Sequence, residues 1–292
     1  MINYEKLGWI ENPKDERDWT LGMVQPPASN ILATYKPAEF FSLAALMQDQ
    51  QPACGGFSLA QLLQYYIYLR TGSPVDLSPR FAYMAEKSLD GLPTIEGTTL
   101  RGIGQAITKL GICLNTLLDA DTNLPDTTYQ DLTQASTEAK TDALTRIEPS
   151  YFFLDDLSWG GIQQAIYQNK AVILELKVGS EWWTSKTGTN SWAATDILPL
   201  RPPASTVSGH FIMAGAYDQD NIWLLNSWSQ QWAQNGFANL QKDYLPDIIG
   251  GLAVVDIPKS VKTALSNKQV DLADQILEDM KQVLSLISKE VS

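Results

Sequence analysis

The chain has 292 residues, of which 44% are hydrophobic, so it can form one large domain or two small ones around a sizeable core. Its 21 basic and 33 acidic residues give a net charge of −12, which argues against nucleic acid or an anionic membrane surface as a partner. The sequence does not open with a basic segment followed by an apolar run, and no stretch of roughly 18 apolar residues occurs. With only two cysteines, we expect a reduced cytoplasmic protein, or one exported by a route without a Sec signal.

The first part of the chain lacks a helical or strand pattern. Residues 1–36 are rich in charge, proline and turn residues, which predicts an extended strap on the surface of a domain. From Phe57 to Leu69, apolar residues recur every three or four positions until Gly72, so a long and largely buried helix is predicted. Cys54 is expected at the first turn of this helix or just before it.

Further helices are expected downstream. Ser78 has the residue type of an N-cap and is followed by proline, so a second helix is predicted to begin there. A third helix is expected to begin near Thr98 or Thr99. Shorter helical segments are predicted over residues 126–145 and 156–169.

The second half of the sequence changes character. Short apolar or alternating runs divided by turn residues predict strands over residues 171–176, 210–217, 221–226 and 252–256. A helical lobe of about 45–150 followed by an antiparallel sheet lobe of about 151–257 predicts an α+β domain over 37–257, with a cleft between the lobes. Residues 258–292 predict a C-terminal amphipathic helix that docks on the domain, on a second copy or on a partner.

The single histidine suggests where chemistry could occur. His210 opens an apolar strand, so its ring can stand at the strand end beside the cleft. Asn226 ends a neighbouring apolar run and could hydrogen-bond one ring nitrogen, which would fix the tautomer. Trp228 could shield that hydrogen bond from water. Each residue alone is more often an ordinary packing or hydrogen-bonding residue, and only their combination indicates a catalytic base.

Cys54 completes a possible set of nucleophile, base and orienting residue. A helix N-terminus and a neighbouring imidazolium both lower the pKa of a thiol, and the thiolate is the reactive form. The oxyanion formed on attack needs donors, which the backbone N–H of Cys54 and the side chain of Gln48, Gln50 or Gln51 could supply. No metal site or cofactor is expected, because one histidine and two distant cysteines make no zinc ligand set and no Gly-rich phosphate loop occurs.

In this order, these residues resemble the papain-like cysteine peptidases, particularly their bacterial members, from about residue 7 to 255. The strongest single motif is Asn226-Ser227-Trp228 with Trp232 and Asn235-Gly236-Phe237. It is similar to the Asn-Ser-Trp-Gly-x-x-Trp-Gly-x-x-Gly-Tyr of the family.

The region around the cysteine carries the second part of the resemblance. Gln48 precedes Cys54 by six positions and Phe57-Ser58 follows it, as the family has Gln and then Cys-Trp-Ala-Phe-Ser. The resemblance implies a two-lobed fold with the active site between the lobes, and a peptide or protein substrate. It also implies roles for five residues: Cys54 as nucleophile, His210 as general base, Asn226 as its orienting residue, Gln48 as the oxyanion-hole side chain and Trp228 as the shield.

The sequence departs from the family pattern close to the nucleophile. Gly55 stands where the family has tryptophan, Ser229 where it has glycine, and Gln51 where it has an additional cysteine. In a competing register, Asp49-Gln50 takes the Asp-Gln place of the family and Gly56 takes the nucleophile position. Gln50 could also serve Cys54 instead of Gln48.

Three functions are compatible with this pattern. The first is a cysteine peptidase that works through a thioester on Cys54. The second is a catalytically inactive papain-fold protein that binds a peptide or partner in the same groove. The third is amide or acyl transfer, which uses the same chemistry with a different acceptor.

Overall fold

The computed structural model describes residues 7–13, 15–16, 18–179, 182, 200, 202–206 and 208–255, to which the structural statements below refer. The chain divides into two units, Met1–Val255 and Asp256–Ser292. The predicted C-terminal helix falls in the second unit, which lies outside the described residues. Among the helices of the described residues, none has the length and apolar character needed to cross a membrane.

Helices dominate the part of the domain that precedes the sheet. The α-helices of the described residues are α1 (Ala38–Phe41), α2 (Cys54–Thr71), α3 (Pro79–Leu89), α4 (Leu100–Lys109), α5 (Asp126–Tyr129), α6 (Thr137–Ala143) and α7 (Trp159–Asn169). Short 3₁₀ segments lie at Leu21–Met23, Leu132–Gln134, Leu144–Arg146 and Lys242–Asp247.

The ends of the main helices have local causes in the sequence. Gly72 ends α2 with a φ of 69°, in the left-handed region that favours glycine. The Ser78 hydroxyl accepts a hydrogen bond from the N–H of Phe81, and the Thr99 hydroxyl accepts one from the N–H of Gly102. The predicted N-caps of α3 and α4 are therefore confirmed.

The strands form one six-stranded antiparallel sheet. They are β1 (Tyr151–Phe153), β2 (Val172–Val178), β3 (Ser208–Tyr217), β4 (Asn221–Leu225), β5 (Phe237–Gln241) and β6 (Ile248–Val254), in the order β1-β6-β2-β3-β4-β5. The α+β prediction is confirmed. The sequence-based prediction missed β1, which has only three residues, and β5, whose inward-facing residues alternate with Asn239 and Gln241.

Helix α2 is the element that joins the helices to the sheet. It contacts α3 and α4 on one side and strands β2 and β3 on the other. Its side chains are buried on all sides over the first three turns, including Leu59, Leu62 and Tyr65. A helix surrounded in this way is apolar all round rather than amphipathic. This position brings the first turn of α2 against the beginning of β3.

Candidate active site

Cys54 is the first residue of α2 and is fully buried. Its thiol lies close to the backbone N–H of Phe211, the residue that follows His210 on β3. The structure thus brings Cys54 to the strand that carries the only histidine of the sequence. Gly56, the nucleophile position of the competing register, faces α3 instead, because a Cβ there would lie 2.5 Å from the Pro79 carbonyl oxygen.

His210 and Asn226 form the hydrogen bond that the sequence suggested. His210 Nε2 lies 2.8 Å from Asn226 Oδ1, and both side chains are fully buried. The same amide oxygen accepts the backbone N–H of Ser227 at 2.8 Å, so it is an acceptor and His210 Nε2 carries the proton. The other ring nitrogen, Nδ1, is left as the basic one. It has no hydrogen-bond partner among the described residues.

Two indoles flank the imidazole, and a third packs against both of them. The ring of Trp228 lies 5.1 Å from that of His210, and the ring of Trp182 lies 6.4 Å away in an edge-on arrangement. Trp182 in turn stacks on Trp232 at 6.1 Å. Trp182 and Trp228 are at most 1% exposed, so the His210–Asn226 hydrogen bond is kept from water. The sequence analysis did not identify Trp182, which follows a strand without any recognisable motif.

The side-chain amide of Gln48 is held in one orientation by Ser227. The Ser227 hydroxyl donates to Gln48 Oε1 at 2.6 Å, and the backbone N–H of Gln48 donates to the Ser227 carbonyl at 2.9 Å. These bonds fix the orientation of the amide, so that Nε2 donates to the Gln51 carbonyl at 3.2 Å and to the Leu7 carbonyl at 3.4 Å. Gln50 is exposed, and Gln51 donates to two carbonyls of another loop. Gln48 is therefore the glutamine placed beside Cys54.

The donors predicted for an oxyanion hole converge on one carbonyl oxygen of the chain itself. The backbone N–H of Cys54 donates to the Leu7 carbonyl at 3.3 Å, and Gln48 Nε2 donates to the same oxygen at 3.4 Å. Leu7 is 1% exposed. A peptide carbonyl thus occupies the place where the oxyanion of a substrate would be stabilised.

Residues 7–12, here termed the cleft segment, continue from this carbonyl along α4. The N–H of Thr98 donates to the Gly8 carbonyl at 3.0 Å, and the N–H of Ile10 donates to the Thr98 carbonyl at 2.8 Å. Gly8 has a φ of 88°, and a Cβ there would lie 2.1 Å from the carbonyl group of Pro52. Only glycine allows this close approach. Residues 7–12 of the predicted strap therefore enter the cleft, whereas its described residues from 18 to 36 are mostly exposed or half-buried.

Burial under the cleft segment sets the protonation states of the pair. It raises the pKa of the Cys54 thiol well above its usual value and lowers the pKa of His210 to about 4, although the hydrogen bond to Asn226 opposes the second shift. At neutral pH the closed cleft accordingly holds a neutral thiol and a neutral imidazole.

Gly55 makes room for a carboxyl group behind the nucleophile. A Cβ at Gly55 would lie 2.5 Å from Thr98 Cγ2 and 2.6 Å from Glu86 Oε2. Glu86 is fully buried, and neither carboxyl oxygen has a hydrogen-bond partner among the described residues. Burial raises the pKa of Glu86 well above its usual value; nearby Asp90 raises it further, and Lys87 lowers it. The residue is thus held as a neutral acid.

Replacing Glu86 with glutamine is expected to stabilise the protein at alkaline pH. Because the folded-state pKa is raised, the folded chain retains a proton that the unfolded chain releases above about pH 4.5, so stability falls as pH rises from there. Glu86→Gln removes this titration. The gain in stability of the variant over wild type should therefore be larger at pH 8 than at pH 4. Thermal unfolding at both pH values measures the difference, and the exposed Glu138→Gln is the matched control. An equal difference at both pH values would contradict this account of Glu86.

Ser229 stands where the resemblance has glycine, and two hydrogen bonds hold it in a backbone conformation that favours glycine. Its φ is 74°, in the left-handed region where L-residues are strained. Its N–H donates to the Leu46 carbonyl at 2.8 Å, and its hydroxyl donates to Gln231 at 2.7 Å. These two bonds hold the turn that follows Trp228 despite the unfavourable backbone.

Among the described residues, no group of three or more histidine, cysteine, aspartate or glutamate side chains is arranged to hold a metal ion. Cys113 is a buried free thiol whose pKa burial raises to about 12. It follows α4, and its carbonyl accepts the N–H of Ser78. Its position is that of a structural residue.

The fold is that of the papain-like cysteine proteases. Xylellain, a cysteine protease from Xylella fastidiosa, is similar with a TM-score of 0.70 and 15% identity over 87% of this chain and 97% of that one. The Carica candamarcensis cysteine protease CMS1MS2 in complex with E-64 gives 0.58 at 14% identity, over 78% of this chain and all of that one. Bromelain from Ananas comosus in complex with E64 gives 0.57 at 13% identity, over 77% and 99%.

The likeness rests on structure alone. No family model and no curated protein matches the sequence. At identities of this size the comparisons establish the two-lobed α+β fold, and what the site does has to be argued from its own geometry.

Proposed function

We propose that this protein is a cysteine peptidase that hydrolyses peptide bonds through a thioester on Cys54. The observation that carries the proposal is the convergence of two donors, the backbone N–H of Cys54 and Nε2 of Gln48, on one peptide carbonyl oxygen. This arrangement places a carbonyl group beside the thiol at a helix N-terminus, where acyl transfer requires it.

The reaction assigns one step to each group. The Cys54 thiol passes its proton to His210 Nδ1, and the thiolate attacks the carbonyl carbon of the substrate. The oxyanion receives hydrogen bonds from Cys54 and Gln48. The imidazolium then protonates the amine as the C–N bond breaks, which leaves a thioester. A water molecule that gives a proton to Nδ1 attacks the thioester, and the acid leaves as the thiol reforms. Asn226 keeps the proton on Nε2, so that Nδ1 is the basic nitrogen throughout.

With the cleft segment in the cleft, the structure is a closed form of the enzyme. Leu7 fills the oxyanion site, and burial disfavours both the thiolate and the imidazolium. When the segment leaves, water reaches both groups, which lowers the pKa of the thiol and raises that of the imidazole. A thiolate–imidazolium pair then becomes the stable state.

A peptide-binding protein without hydrolysis is the second candidate function. It is favoured by Glu86, whose carboxyl group lies behind the nucleophile where the resemblance has an indole. In this alternative the groove holds a peptide in the manner of the cleft segment and does not cut it.

Covalent labelling separates the two candidates. We expect an epoxide warhead directed at thiol peptidases to label Cys54 and not Cys113 in the native full-length protein, and faster in a Trp9→Ala variant whose cleft segment is weakened. Mass spectrometry of the digested protein locates the adduct, and denatured protein shows that both thiols can react with a simple alkylating agent. No adduct on Cys54 in either protein, under conditions that label papain, would favour the binding protein.

A further inference from the structure

The side chain of Trp9 fills a slot between the two lobes. Its indole N–H donates to Glu175 Oε1 at 2.6 Å, while its backbone pairs with Thr98 on the helical side. Its ring lies so close to Gly209 that a Cβ there would fall 2.1 Å from a ring atom. Trp9 is two residues from Leu7, whose carbonyl lies between the oxyanion donors. The slot therefore holds a side chain that lies two residues along the chain from the carbonyl group beside Cys54.

The residues around the slot leave space next to the carboxyl group of Glu175. Glu175 on β2 is paired with Phe211 of β3 and with Gly250 of β6. Gly209 and Gly250 contribute no side chain, and a Cβ at Gly250 would lie 2.4 Å from Glu175 Oε2. Glu175 also lines a cavity of about 490 Å³, whose other walls combine apolar residues such as Leu100, Phe153 and Leu154 with the acidic residues Glu11, Asp15, Glu16 and Asp18 of the N-terminal region. The space around Glu175 is accordingly acidic, with Glu175 as the carboxyl group that the sheet itself contributes.

Glu175 depends on the cleft segment for hydrogen bonds. The residue is 3% exposed, and the two N–H groups that donate to it, the indole of Trp9 and the backbone of Asn12, both belong to that segment. When the segment leaves, the carboxyl group loses both donors while its apolar walls remain. A buried carboxyl without donors is costly, so an incoming side chain that brings an N–H is strongly favoured over one that does not.

We propose that Glu175 is a specificity-determining residue, which selects peptide substrates that place an arginine, lysine or tryptophan side chain in the slot that Trp9 fills. This inference rests on the proposed function of the site. Leucine or phenylalanine would reach the same depth without a donor. A cationic side chain gains most, because its hydrogen bond to the carboxylate is charge-assisted. A glutamate side chain is excluded by like charge.

The test uses full-length protein with Trp9→Ala, so that the slot is empty, with and without Glu175→Gln. Fluorogenic peptides differ only in carrying arginine, tryptophan or leucine at the second position before the cleaved bond, and in a parallel set after it. We expect kcat/KM for the arginine peptide to exceed that for the leucine peptide by at least about 10-fold. Glu175→Gln should remove the preference for arginine over leucine. The variant should keep the preference for tryptophan over leucine, because the amide oxygen still accepts an indole N–H.

A binding measurement keeps this inference separate from the peptidase proposal. Fluorescence anisotropy with the same peptides and protein that also carries Cys54→Ala reports selection without catalysis. If no variant cleaves any peptide, the peptidase proposal fails, and the arginine-to-leucine binding ratio still tests Glu175. The exposed Glu138→Gln should change neither ratio. An arginine preference that is absent, or that survives Glu175→Gln unchanged in both readouts, would overturn the inference.

Discussion

Replacing Trp9 with alanine in the full-length protein is expected to raise both the rate of peptide hydrolysis and the rate of Cys54 alkylation by about 10- to 100-fold. The variant loses the 2.6 Å hydrogen bond to Glu175 and the contact of the indole with Gly209, while the rest of the cleft stays intact. A loss of about 1.4–2.7 kcal/mol from the closed form shifts the closed-to-open equilibrium by that factor. Steady-state hydrolysis and second-order alkylation rates measure the effect.

The chain offers a matched control for this experiment. Trp19 is another partly buried tryptophan of the N-terminal region, and it stacks on Phe152 instead of entering the cleft. Trp19→Ala should leave both rates within a factor of about 2, which corresponds to a few tenths of a kcal/mol. Gly8→Ala destabilises the same closed form independently, because a Cβ there would clash with the backbone of Pro52. If neither Trp9→Ala nor Gly8→Ala accelerates either reaction, the cleft segment does not limit access to Cys54.

The residues of the candidate site could be found from the sequence because each lies at the end of a regular element. Cys54 precedes a long apolar periodicity, His210 opens an apolar run and Asn226 closes another. Element ends that face each other across a cleft bring such residues together: His210 is hydrogen-bonded to Asn226, and Cys54 lies close to Phe211, the neighbour of His210. The choice of Gln48 over Gln50 needed coordinates, because three nearby glutamines have the same chemistry.

The role of the N-terminal segment could not be predicted in the same way. Leu7 to Asn12 has neither helical nor strand periodicity, and its placement depends on single contacts that are distant in sequence, such as Trp9 with Glu175 and Gly8 with Thr98. One signal was present in retrospect. Glu175 interrupts the apolar run 171–176, and a carboxyl group in a buried strand requires a partner.

Glu86 illustrates a second limit of sequence reasoning. The position of Gly55 indicated a missing indole, and it did not indicate what fills the space. In the structure a side chain from α3, 31 positions further along the chain, takes that place, and a protonated carboxyl group can do so because burial raises its pKa. Which side chain fills such a space depends on packing between helices, and no local sequence pattern indicates that packing.

The central claim is that Cys54 carries the hydrolysis, and the most direct measurement compares two alanine variants in the Trp9→Ala background. Cys54→Ala removes the group that forms the thioester, so kcat/KM for peptide hydrolysis should fall by at least about 1,000-fold. Cys113→Ala removes the other thiol, which follows α4 in the helical part of the domain, and should leave kcat/KM within about 3-fold. Hydrolysis that persists in a folded Cys54→Ala protein, or that is lost equally in both variants, would contradict the account.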